Sequence, residues 1–318
     1  MSRYATEDVD DFIKGQENIN TSKKTKSDIK ILVDFLRSER NELRPIEEID
    51  PHDLNDHLKH FFINIRKEDG SPTAPVSSIG EGVDLKSGLG THGTWFIDPM
   101  DSTAWVMSGY NNVKTLERYN NKMSLSGSPV ETITLAQGCS GTGHVVNAGY
   151  LYCNLHRSNK VMKVQISTKE KVGEVILTDA GFNNAYPYKW GGYSDIDLAL
   201  DSGNRLYAIY GSKRNNGNYA IALLDIDTLV IVATWQIDVE KRQTRDSFMA
   251  NGMLYILDSN YHFTYRFDTT TNSLTSLSSS EFQYGSRKGY LTSLQYIPGR
   301  CELLAYDKGY LQTRSIHF

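Results

Sequence analysis

A pair of bulky apolar or aromatic residues recurs through the last two thirds of the chain. It stands at Trp105-Val106, Leu151-Tyr152, Leu206-Tyr207, Leu254-Tyr255 and Leu303-Leu304, at successive spacings of 46, 55, 48 and 49 residues. Turn sequences precede most of the pairs: Asn147 to Gly149, Asp201 to Asn204, Ala250 to Gly252, and Pro298-Gly299. Three pairs are followed by a second strand-like segment ending in Thr: Val164–Thr168, Leu224–Thr228 and Tyr265–Thr269. Five units of roughly 50 residues, each holding several short strands, predict a five-bladed β-propeller. A closed ring also leaves no long free sheet edges. The last strand, Tyr310–Ile316, is expected to complete a blade with sequence near residue 93.

Residues 1–72 have a different pattern. Val9, Phe12 and Ile13, then Ile29, Leu32, Val33 and Leu36, repeat at helical spacing. A second helix is expected to be capped by Asp50 with Pro51 at its first position, to present Leu54, Leu58, Phe61, Phe62 and Ile65, and to stop at Gly70. The fold expected is therefore all-β, a five-bladed propeller over 93–318, preceded by a small α-helical domain over 1–72. A Pro-, Ser- and Gly-rich linker is expected over 73–92.

Bulk properties exclude several classes. The net charge is −4, which gives no basic field for nucleic acid and no polybasic membrane patch. No apolar run approaches the ~18 residues of a membrane helix. The first 25 residues lack the apolar core of a signal peptide, so the chain as written reads as cytosolic. Cys139, Cys153 and Cys301 are too few and scattered for a disulfide framework or a zinc site. Cys139 and Cys153 flank an expected hairpin, and spacing alone leaves a bridge between them open. The eight histidines show no metalloprotease spacing. Gly138–Gly143 has Thr142 where a nucleophile elbow needs Gly, and reads as a tight turn into a strand at Val145. Trp95, Trp105, Trp190 and Trp235 read as blade packing. No acid, base or nucleophile set emerges, so no enzyme is expected.

One acidic stretch stands apart. In Tyr186–Asp201, Ile196, Leu198 and Leu200 alternate with Asp195, Asp197, Ala199 and Asp201. Carboxylates on the innermost strand of a blade either face solvent or converge on the channel axis, where they need a partner. Asp246 occupies the equivalent position one blade later and Leu294-Gln295 the next. Calcium takes six to eight oxygens, mixing carboxylates with carbonyls, and the repeat geometry leaves a bound cation and solvent-exposed acids both open.

Two resemblances add to this reading. Asn20–Thr25, Leu32–Leu36, Asp53–Asn55 and Phe61–Gly70 resemble the N-terminal helical domain of Crypton-type tyrosine recombinases, a DNA-clamping segment; the recombinase catalytic half is not here. This implies an alternative, a nuclear or DNA-associated protein acting through residues 5–70. The blocks Gly93–Pro99, Ser140–Val146 with Gly149–Tyr152, Trp190–Leu198, Phe248 with Gly252–Tyr255, Tyr290 with Gln295-Tyr296, and Leu304–Tyr306 resemble the olfactomedin domain. That resemblance implies a five-bladed, non-enzymatic, extracellular or secreted module for protein binding and signal transduction, contacting partners through its loops, often with calcium in the channel. A propeller enzyme using the same channel is the other alternative. Carried over residue by residue, the metal ligands are Asp197, Asp246, the carbonyls of Ser247 and Leu294, and Gln295, with Ca2+ as the ion and Na+ as a neighbour or substitute. Gln295 stands where calcium-binding members have Asp, and Asp246 where many have Asn, so the site is expected to be retained but altered. The family's usual disulfide has neither partner: 76–93 hold no Cys and the second position is Asn251.

Overall fold

A computed structural model describes residues 75–318 apart from 279–281 and 299, together with Val33, Leu36, Arg44 and Glu48–Asp50. The chain divides into two compact units, Met1–Asp69 and Gly70–Phe318. The helical domain expected over 1–72, with its recombinase-like motifs, lies outside the described residues save those six.

The described residues from 78 onward form antiparallel strands joined by turns and loops, with two single-turn 3-10 helices, Lys122–Ser124 and Lys241–Gln243. β3 (Gly93–Ile97), β4 (Ala104–Ser108), β5 (Val113–Tyr119) and the first half of β6 (Glu131–Asn147) form one meander. The second half of β6, β7 (Tyr150–Leu155), β8 (Lys160–Gln165) and β9 (Glu170–Ile176) form the next. The two share β6, which pairs β5 through Glu131–Thr134 and Cys139, then pairs β7 through Cys139-Ser140 and Val145–Asn147. The break in register between Ser140 and Val145 falls at Gly141, whose φ is 76°. The tight turn expected over Gly138–Gly143 is thus a kink inside one long strand. Glycine's freedom at positive φ lets β6 change partners without ending.

The third meander is β10 (Ile196–Leu200), β11 (Leu206–Gly211), β12 (Asn218–Leu224) and β13 (Ile231–Glu240). The fourth is β14 (Thr244–Ala250), β15 (Met253–Asp258), β16 (Phe263–Asp268) and β17 (Ser273–Ser276). The fifth is β18 (Leu291–Tyr296), β19 (Glu302–Asp307) and β20 (Tyr310–His317), with β1 (Ser78–Ile79) and β2 (Val83–Lys86) paired to β20. The expectation that β20 would close a blade with sequence near 93 is corrected here: its partners are β1 and β2, and Gly93 opens β3. The linker expected over 73–92 is corrected with it. Val76 is buried, Ile79, Leu85 and Leu89 pack on the core, and Asp84 pairs with Gln312 across the β2–β20 register.

The recurring pair falls within the first three residues of each second strand. Successive strand residues face opposite sides of a sheet, so the two members of a pair enter different interfaces. Trp105 packs with Leu151, Cys153 and Met162, whereas Val106 packs with Leu304, Tyr306 and Trp95. Tyr152 packs with Leu198 and Leu206, Tyr207 with Leu254 and Met249, and Tyr255 with Leu303 and Leu294. Each meander thereby shares one apolar cluster with the meander before it and another with the one after. The fifth shares its second cluster with the first. The sheets are propeller-like and the sequence of interfaces is closed. All ten residues of the five pairs are buried. At about 25 cal/mol per Å² of apolar surface, these layers are the main source of stability.

Candidate metal centre in the channel

The inner strands β3, β6, β10, β14 and β18 contact one another around the ring. Asp197 is the second residue of β10; Asp246 and Ser247 lie early in β14; Leu294 and Gln295 lie in β18. All five expected ligands are buried, Asp246 to 1% and Asp197 to 7% exposure. The open alternative of solvent-exposed acids does not apply to them.

The three acids of the alternating stretch have separate duties. Asp195 precedes the strand and accepts the backbone N–H groups of Asn184 and Tyr186, both at 2.7 Å. It therefore fixes the loop that enters β10. Asp201 follows the strand, where it meets Arg205 at 2.5 Å and accepts the Tyr207 hydroxyl at 3.1 Å. Asp197 alone faces the channel. Its Oδ2 accepts the Tyr188 hydroxyl at 2.8 Å, and the same hydroxyl lies 2.6 Å from Ser247 Oγ. Tyr188 thus ties β10 to β14.

The Ser247 N–H donates to Asp246 Oδ1 at 2.8 Å. Burial pushes the Asp197 carboxyl up to about 6, opposed by Lys241 and the Tyr188 hydroxyl. Burial, then the charge of Asp197, pushes Asp246 well above the usual carboxylate range. Each carboxylate is desolvated, and they repel one another.

Gln295 reaches the same region from β18. Its Nε2 donates to the His144 carbonyl at 2.6 Å. A Cβ at the neighbouring Gly143 would stand 1.7 Å from Asp197 Oδ1, so only glycine lets β6 approach that carboxylate. His144 itself is buried, and burial pushes its imidazole down to about 4, with the Gly143 and Gly141 carbonyls pulling the other way.

Sequence reasoning missed Lys241. Its side chain is fully buried, donates to the Ser194 carbonyl at 2.5 Å, and stands 3.4 Å from the centre of the Tyr188 ring. Burial pushes it down to about 8, against the pull of Asp197, Asp195 and Asp246. No periodicity marks it, since it sits in the short connection between β13 and β14. Among the described residues, neither Asp197 nor Asp246 has a Lys or Arg nitrogen within 4.0 Å. Two buried carboxylates that act on one another and a nearby amide side chain are oxygen-bearing groups of the kind that a cation such as calcium takes.

A family model for the olfactomedin-like domain matches residues 67–318. The chain belongs to the olfactomedin-like family. The match begins ahead of β1, in accord with the place of β1 and β2 in the fifth sheet. Olfactomedin-like domains are typically non-catalytic and serve in general as protein-interaction modules. Solved structures similar to this olfactomedin-like chain include the β-propeller domain of Cps50 (Swd1) from Myceliophteria thermophila, at 12% identity and a TM-score of 0.40, covering 68% of this chain and 67% of that one. Glutaminyl cyclase from Myxococcus xanthus matches at 12% identity and a TM-score of 0.44, covering 77% and 98%. Raptor from Chaetomium thermophilum matches at 10% identity and 0.40, covering 74% of this chain and 19% of its own.

Cys139 and Cys153 are joined in a disulfide between β6 and β7, which answers the question their spacing left open; Cys301 is free and exposed. No described helix is long and apolar enough to cross a membrane.

Proposed function

We propose that the olfactomedin-like domain is a non-enzymatic, five-bladed protein-interaction module with a calcium ion in its channel. Asp197, Asp246, the Ser247 and Leu294 carbonyls and Gln295 would hold the ion. The observation that carries this reading is the pair of buried carboxylates with no cationic side chain within ion-pair distance among the described residues. Burying such charges uncompensated is costly, so they take up either protons or a metal ion. Calcium would supply the missing charge and join three inner strands; Na+ would do so more weakly. The Cys139–Cys153 bond is consistent with an extracellular, oxidising setting, and a signalling role would follow from partner binding there.

Calorimetric titration of CaCl2 into the chelator-stripped protein tests the reading. One saturable site is expected, lost in Asp197→Ala and weakened in Gln295→Ala. At neutral pH, Asp197→Ala should lower the melting temperature more in calcium than in chelator. No heat of binding, or equal destabilisation with and without calcium, would remove the metal from the proposal.

A further inference from the structure

At the end of the channel where β3, β10, β14 and β18 begin, half-buried rings gather. His92 and Tyr290 each stand one residue ahead of an inner strand, Trp190 and Tyr193 lie just ahead of β10, and Tyr110 lies between β4 and β5. His92 stacks at a tilt on Tyr110 at 4.7 Å and meets Tyr290 edge-on at 5.3 Å; Trp190 lies 5.9 Å from His92 and 6.3 Å from Tyr110. These rings come from the first, third and fifth meanders. The fourth supplies Arg245, the second residue of β14, whose guanidinium carbon stands 4.6 Å from the Tyr290 ring centre.

Three donors in this cluster are closed off from solvent and have no hydrogen-bond partner: Trp190 Nε1, Arg245 Nε and Arg245 Nη2. Nε and Nη2 form one edge of the guanidinium, the edge that meets both oxygens of a carboxylate side-on. No carboxylate pairs with Arg245 among the described residues. Asp246 is its neighbour in the strand, where the β14–β15 register shifts between Thr244 and Asp246; no ion pair joins the two, and Arg245's pull on Asp246 is the smallest of those acting there. A second guanidinium, Arg287, lies 4.6 Å from the Tyr261 ring that Arg245 also approaches at 5.4 Å. The mouth is thus cationic and aromatic in a chain of net charge −4.

Resting on the interaction-module reading, we propose that this mouth is where a protein partner docks, and that it recognises a glutamate or aspartate side chain flanked by an aromatic residue. Arg245 turns its Nε–Nη2 edge out from beside the Tyr290 and Tyr261 rings to take the carboxylate, and the flanking ring packs on Trp190, Tyr110 and His92. Unpartnered buried donors are unfavourable until filled, so the carboxylate gains two charge-assisted bonds without displacing an existing one. Half-buried aromatic residues beside an arginine are the composition of binding hot spots.

The test uses the full chain and the probe Ac-Glu-Tyr-NH2, read by NMR at the Trp190 indole N–H, assigned with Trp190→Phe, and at the Arg245 Nε–H. Saturable shifts of both are expected. Ac-Gln-Tyr-NH2 should bind about tenfold or more weakly, as should the glutamate probe to Arg245→Lys, which keeps the charge and loses the fork. Ac-Glu-Ala-NH2 should lose affinity by a smaller factor. No saturable shift, equal binding of the glutamine probe, or undiminished binding to a folded Arg245→Lys would overturn the proposal, as would inorganic sulfate binding as well as the peptide. Such a failure removes the mouth alone: a partner that binds wild type and Arg245→Lys equally would leave the interaction module standing.

Discussion

Asp197 is one of several buried groups, Asp246 and Lys241 among them, whose protonation the interior perturbs. Its ordinary value is 3.8, and burial carries it to about 6 in the folded protein. A group raised on folding binds its proton more tightly in the native state. The stability it contributes is complete below the unfolded value and is lost as pH rises through the folded one. In chelator, the Asp197 contribution should therefore fade between pH ~4 and ~6, by roughly 3 kcal/mol. Comparing urea denaturation of wild type and Asp197→Asn across that window reports it, together with the relief of Asp246, whose carboxyl the Asp197 charge pushes up, because the amide does not titrate. Saturating calcium should reverse the sign, since the ion needs the ionised form and is displaced by protons. A difference between the two proteins that is flat in chelator would contradict the assignment. Asp201 offers a contrast at the same scale. It is buried against Arg205, Tyr207 and the turn amides of Gly203 and Arg205. Asp201→Ala would strand a guanidinium that is 11% exposed. A loss of about 3–5 kcal/mol, insensitive to calcium, is expected in denaturant titration.

Elements explain where the domain begins. β20 pairs β19 on one side; among the described residues its other side is paired by two short strands some 230 residues earlier in the chain, Ser78 facing His317 and Asp84 facing Gln312. Asp84 also meets Lys288 at 2.8 Å, and the Val76 N–H donates to the Tyr255 hydroxyl at 2.8 Å. A chain starting at residue 93 would leave β20 as a bare edge and uncover part of two apolar clusters. Relative to one starting at residue 70, it should melt lower by about 10 °C and aggregate on concentration, as seen by calorimetry and light scattering. The strand pairing of β1 and β2 was not legible in the sequence. Each is too short for alternation to register, and Ser, Gly and Pro around them carry the composition of a linker. The β6–β7 disulfide was equally hidden. Its sequence separation of 14 fits a hairpin, but only the packed register brings the two sulfurs together. Replacing both cysteines by serine should cost about 3 kcal/mol through the freed loop.

At the scale of the whole molecule, the repeat was legible because the architecture demands it. A second strand is covered on both faces, so it must be apolar at consecutive positions, and five such pairs are visible without any structure. The channel was legible at Asp197 and Asp246, because an acid at a strand position otherwise reserved for the core is conspicuous. It was not legible at Lys241, Tyr188 or Gly143, whose roles depend on which meanders become neighbours when the ring closes. That closure makes the last prediction global. The proposed ion would touch β10, β14 and β18, which belong to three different meanders, so its binding energy cannot be confined to one of them. Calcium at about 100 times its dissociation constant adds roughly 2.7 kcal/mol to the native state. For a domain of this size that is a rise of about 5–10 °C in melting temperature. Amide hydrogen exchange should slow in all three strands together on adding calcium, and in Asp197→Asn it should slow in none. Protection gained by β10 alone would mean that the ion sits on one meander's surface and not on the axis the five share.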